Sequence, residues 1–192
     1  MKKDIFLGGA SGSTTWRKEI AIPLLNDAGV SYFNPQLGAG EWTTANEAAE
    51  LSAKAEATAL LFVVTDETRG VATLAEIAYY IGKGRPLSLV VNDIGADKEF
   101  DGIKLSAAER DDLNRGRIFV RTMAKNDGVP VFEDVAGAVG HAIGIVNSDC
   151  NFSITPGEPA TNFSSDPPVI FPVERLRSGF PAPQGPQGKL VP

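Results

Sequence analysis

Residues 63–86, VVTDETRGVATLAEIAYYIGKGRP, set Asp66 at the end of an apolar run and Glu76 inside an otherwise apolar helix. Two carboxylates that converge on one crevice are the parts needed for glycosidic bond chemistry. One attacks the anomeric carbon, and the other manages protons or holds the sugar. The same residues admit plainer roles. Asp66 fits a turn-capping position, where its side chain bonds the nearby backbone. On a helical wheel Leu74, Ile77, Ala78 and Ile81 share one face, and Thr73, Glu76, Tyr80 and Lys83 the other. Glu76 therefore also reads as a solvated acid near a helix N-terminus, where the dipole favours it.

Other segments supply candidate ligand contacts. GGASGST (residues 8–14) follows a strand and opens a helix, so Gly8, Gly9, Ala10 and Ser11 could form a cradle for a phosphate or hydroxyl, or simply a tight turn. It lacks the Gly-Lys-Ser/Thr of a Walker loop and the spacing of the dinucleotide fingerprint. Asn34 and Gln36 offer amides that can read a nucleobase edge. Trp42 offers an indole to stack on it, or a core anchor. Asn92, at the end of a later strand, can bond a sugar hydroxyl or a turn.

Positioning these groups requires a scaffold, and the chain reads as one. Strands are expected at 4–9, 30–34, 58–66, 86–93 and 129–134. Helices are expected at 14–29, 43–57, around 70–86, at 106–127 and at 134–147, with a loop before 106. Pro23 predicts a kink or break near Ala21, Ser13 or Thr14 an N-cap, and Gly29 a stop. Alternating strands and helices, with apolar runs such as ALLFVV, imply a doubly wound, five-stranded parallel α/β sheet, flavodoxin-like or Rossmann-like. Ligands of such sheets bind beyond the C-terminal strand ends, where strand order reverses. That rule selects the loops at 8–14, 34–42, 65–72 and from 92 onward.

The 192 residues are 43% hydrophobic and 22% charged, as in a globular protein. A net charge of −6 argues against a nucleic-acid polymer as partner. No apolar run is long enough for a bilayer, the N-terminus does not read as a signal peptide, and no membrane partner is expected. The single cysteine, Cys150, fits a reducing cytoplasm. With one histidine, His141, neither a metal cluster nor a Ser-His-Asp triad is expected. Residues 1–147 read as one domain. Residues 148–192 hold most of the thirteen prolines and form a Pro-rich C-terminal extension, read as a disordered tail or as an arm docked on its own domain or on a neighbour.

Taken together, DIFLGG…STTWRKEIAIPLL, YFNPQ, ALLFVVTDETRG and TLAEIAYYIGKGRPL resemble the nucleoside 2-deoxyribosyltransferase-like family, from about residue 3 to about 147. The resemblance implies that Glu76 is a nucleophile forming a covalent 2-deoxyribosyl-enzyme, with Asp66 a candidate for the proton on the leaving base. It places Gly8–Ser11 at the sugar end, and Asn34, Gln36 and Trp42 at the base end. Gly70 stands where members carry an aspartate, six residues before the nucleophile, and Thr73 begins the Thr-x-x-Glu motif. Both are counted with the substrate-binding residues. Arg69 is extra, and its guanidinium suits a 5′-phosphate, or it is simply a solvated loop residue. The implied activity is N-glycosyl transfer or hydrolysis on 2′-deoxynucleosides or their 5′-monophosphates, without metal or organic cofactor, in a homo-oligomer. A non-catalytic nucleotide-binding module and a glycohydrolase of NAD or another ribonucleotide are the alternatives.

Overall fold

The computed structural model describes residues 3–10, 14–38, 41 and 43–151. Five strands form one parallel sheet: β1 (Ile5–Gly9), β2 (Tyr32–Phe33), β3 (Ala59–Val64), β4 (Leu87–Val91) and, after a two-stranded insertion, β7 (Val131–Phe132). Their order is β2-β1-β3-β4-β7, so the winding reverses between β1 and β3. That reversal is the doubly wound arrangement expected from the alternating pattern. β3 is buried at every position, as a central parallel strand covered on both faces must be.

Side chains alternate between the two faces. Ile5, Leu7, Leu61 and Val63 meet one layer, made of α1 (Ile22–Asp27) with the turn before it and α5 (Val135–Asn151). Phe6, Leu60, Phe62 and Leu89 meet the other layer. It comprises α2 (Thr44–Glu56), α3 (Val71–Gly82) and α4 (Ala107–Asn126). Burying fifteen apolar residues in one such layer and thirteen in the other is what makes the strand ends rigid enough to hold a site.

The break expected from Pro23 is present in a particular form. Residues Arg17–Ala21 are π-helical, and the chain turns α-helical from Ile22. Pro23 has no N–H to give, and its ring would crowd the Glu19 carbonyl in a continuous α-helix; the wider turn relieves both demands. Helix α2 is capped by Thr43 and α4 by Ser106, each side chain accepting a backbone N–H.

The loop expected before residue 106 is corrected. It holds an antiparallel hairpin, β5 (Glu99–Phe100) and β6 (Ile103–Lys104). Asp101 and Gly102 both take positive φ, 55° and 76°, as a two-residue hairpin turn requires. Ile94, Phe100 and Leu105 form a small apolar cluster with Leu113 of α4, which seats the hairpin. Ser13 and residues 152–192, with both readings of the Pro-rich extension, lie outside the described residues.

Candidate active site

Glu76 lies in the second turn of α3, and its surroundings correct the wheel. The stripe that faces solvent is Val71, Ala75 and Tyr79; Thr73 is buried, and Glu76 and Tyr80 are half-buried. The Thr73–Glu76–Tyr80 side looks across at α2. There the Glu76 carboxylate accepts a hydrogen bond at Oε1 from the Lys54 ammonium. Lys54 also binds Glu50, one turn back on its own helix, at 2.7 Å.

Lys54 is the residue that sequence reasoning missed. Its side chain is only 4% exposed, against 31% for Glu50 and 36% for Glu76. The ammonium sits 5.1 Å from the centre of the Phe6 ring, in an aromatic cluster of Phe6, Phe33, Phe62 and Tyr80. Burial there would strip the lysine of its proton. The hydrogen bonds and charges of Glu50 and Glu76 outweigh that and hold its pKa above the ordinary 10.5. Burial also raises the Tyr80 phenol. Among the described residues, Oε2 of Glu76 has no hydrogen-bond partner.

A second buried cation supports the turn after β1. Arg17 is fully buried, stacks 4.4 Å over Trp16 and donates to the carbonyl oxygens of Leu7, Gly9 and Ala10 at 3.2, 2.8 and 3.0 Å. Burial pushes its pKa down to about 10, with the Glu50 charge opposing. Gly9 and Ala10 thus turn their carbonyls inward to a cation. A side chain on Gly9 would meet the Val63 carbonyl oxygen at 2.7 Å, and one on Gly8 would overlap the Phe62 ring at 2.2 Å. Both glycines are required by the close approach of β1 to β3.

The base-end candidates are partly described. Asn34 Oδ1 accepts the Gln36 backbone N–H at 3.0 Å, closing a local turn. Gln36 Nε2 reaches the Thr14 carbonyl oxygen at 3.0 Å, so the loops after β1 and β2 are joined. A cavity of about 60 Å³ lies between this loop and α2, lined among others by Asn34, Leu37 and Glu50. Ser11 and Trp42 lie outside the described residues.

On the β3 side, Asp66 pairs with Lys98 at 2.6 Å, which ties the strand-end loop to the segment entering the hairpin. Arg69 lies 3.4 Å from Glu109 and 3.9 Å from Asp101, over the Phe100 ring. Its charge is taken up by neighbours. Gly70 caps α3 in the left-handed conformation, φ 62°. Asn92 is turned to structure: Nδ2 donates to the Glu133 carbonyl oxygen at 3.3 Å. Its own carbonyl accepts from the fully buried Arg117, which also holds the Thr68 carbonyl oxygen at 2.7 Å. Among the described residues, no three His, Cys, Asp or Glu side chains converge as metal ligands, and no helix is long and apolar enough to cross a membrane.

The elements that place these groups, β1 to β4, coincide with a family match. The family model described as nucleoside 2-deoxyribosyltransferase like matches residues 2–94. Over those residues, just under half of the chain, the sequence is similar to that family. A comparison with curated proteins finds no match. The matched region contains Glu76, Asp66 and the Lys54–Glu50 pair. The hairpin and the helices α4 and α5 follow it.

Proposed function

We propose that the protein cleaves the N-glycosidic bond of 2′-deoxynucleosides through a covalent intermediate on Glu76. One observation carries this reading: a half-buried carboxylate on the helix after the central strand, with one oxygen held by an ammonium and the other without a hydrogen-bond partner among the described residues. In the first step Oε2 forms a bond to C1′ as the C1′–N bond breaks. The electron pair leaves with the base, which takes up a proton, and Asp66 is the candidate to deliver it. A second base or a water then attacks C1′, regenerating the carboxylate with overall retention.

The engagement of Arg69 with Glu109, Asp101 and Phe100 favours the unphosphorylated nucleoside over its 5′-monophosphate, because a phosphate would have to displace partners already in place. The test is chromatographic. Purified protein is incubated with deoxynucleosides, their monophosphates and ribonucleotides, with and without a second free base. A new nucleoside appearing only with the second base means transfer; free base alone means hydrolysis. Glu76→Gln is expected to lower either rate by about a thousandfold or more while the fold is kept. Full activity in that variant would falsify the assignment, and saturable binding without base release would leave a non-catalytic nucleotide-binding module.

A further inference from the structure

Lys54 is a lysine where an apolar residue would pack well. It is buried against Phe6, whose ring packs on Phe33 and Phe62, and the two carboxylates make a charge tolerable there. A buried ion pair of this kind gives little stability over an apolar replacement, so its presence invites a functional explanation. Three features supply one. The ammonium binds a single oxygen of Glu76, which pins that oxygen through a residue on a different helix. It is shared with Glu50, so it does not neutralise Glu76 alone. And Glu50 lines the cavity beneath Asn34, linking the pair to the loop after β2.

Resting on the reading of Glu76 as nucleophile, we propose that Lys54 is its positioning residue, holding Oε1 so that Oε2 meets C1′, and that Glu50 keeps Lys54 paired while Glu76 is an ester. The charges make the second part necessary. With both carboxylates ionised the trio carries one surplus negative charge. When Oε2 bonds to C1′ and the electron pair leaves with the base, Glu76 becomes neutral. Lys54 would then be an uncompensated buried cation without Glu50; with it, the trio becomes neutral. The intermediate thus gains a matched ion pair where the resting site has an overcharged one. The other charged or titratable groups nearby are Tyr80 on α3 with its neighbour Tyr79, Arg17 within Coulombic reach of Glu50, and Arg85 within reach of Tyr80.

The experiment uses the full chain and four variants: Lys54→Met, Lys54→Arg, Glu50→Gln and Glu76→Gln. Methionine suits the aromatic surround, and the two carboxylates it leaves are each about one-third exposed, so Lys54→Met should fold, which thermal unfolding checks. Its kcat for base release is expected to fall about a hundredfold, with KM changed less than about threefold, as for misplacement of a reacting group. Lys54→Arg should recover about tenfold of that loss, because a guanidinium keeps the charge but not the compact geometry of the ammonium. Glu50→Gln should lower kcat about tenfold and reduce the covalent adduct seen by intact mass. Independently of activity, NMR titration of the Lys54 ammonium should move down in both Glu50→Gln and Glu76→Gln.

A folded Lys54→Met variant with unchanged kcat overturns the inference and leaves the proposed function standing. If the native chain releases no base from any substrate, the proposed function fails instead, and the titration decides the pairing. A lowered Lys54 value in Glu76→Gln upholds it; an unchanged value overturns it.

Discussion

The Arg17 guanidinium donates to the Gly9 carbonyl oxygen at 2.8 Å, from beneath the turn that follows β1. A cation buried under a loop, with carbonyls for partners and no carboxylate within salt-bridge distance among the described residues, binds the loop by its backbone. Arg17→Met would leave the carbonyls of Leu7, Gly9 and Ala10 without that donor. A loss of about 3 kcal/mol is expected, less than three full penalties because the cost of burying the charge also disappears. Urea unfolding measures it, and a change within experimental error would mean that the turn holds itself.

Two glycines with the same φ separate strain from crowding. Gly70 and Gly84 both sit at 62°. A side chain on Gly70 would lie 2.6 Å from Val64 Cγ1, whereas at Gly84 nothing is within 4 Å. Gly84→Ala should cost about 1 kcal/mol from the left-handed conformation alone. Gly70→Ala should cost at least about 1 kcal/mol more. Equal losses in parallel unfolding curves would show that Val64 yields freely.

Asp66 and Lys98 are both about two-fifths exposed, so their ion pair adds little to stability. Asp66→Asn is therefore expected to shift unfolding by less than about 1 kcal/mol. If Asp66 delivers the proton to the leaving base, the same variant should lower kcat by about a hundredfold. The loss should be smallest for substrates whose base leaves readily without a proton. A uniform loss across substrates would point to binding instead.

Lys54 also predicts an alkaline weakness. Its folded-state pKa stands above the unfolded value of 10.5, so the folded chain binds its proton more tightly. The stabilisation is complete below 10.5 and is lost as pH rises through the folded value. The native chain should accordingly lose more stability than Lys54→Met on going from pH 9 to pH 11.5. Parallel losses would mean that the lysine is not held by its carboxylates in solution.

The sheet was legible because its strands are apolar runs set between helical periods, and ALLFVV needs both faces covered. Asp66 and Glu76 stood out as candidates because they flank one loop, but their separate partners, Lys98 and Lys54, left no mark in the sequence. The orientation of α3 was not legible. Ala72, Ala75 and Ala78 suit a buried or an exposed face equally, so the polar-looking side that turns toward Lys54 passed for the wet one. Lys54 itself was hidden in TANEAAELSAKAEA, where alanines give no preferred face and the partner lies 22 residues onward. Nothing in STTWRKEIA marks Arg17, rather than Lys18, for burial. The hairpin carried a signal, Phe-Asp-Gly-Ile, but its strands are two residues long and show no alternation.

The Phe62 ring fills the space where Gly8 would carry a side chain, and the Val63 carbonyl closes the space beside Gly9. The end of β1 therefore has only main chain to offer a ligand. Under the proposed function, discrimination between one substrate and another would come from groups on the surrounding helices and loops. Preferences could then change at those walls without reopening the floor on which stability rests.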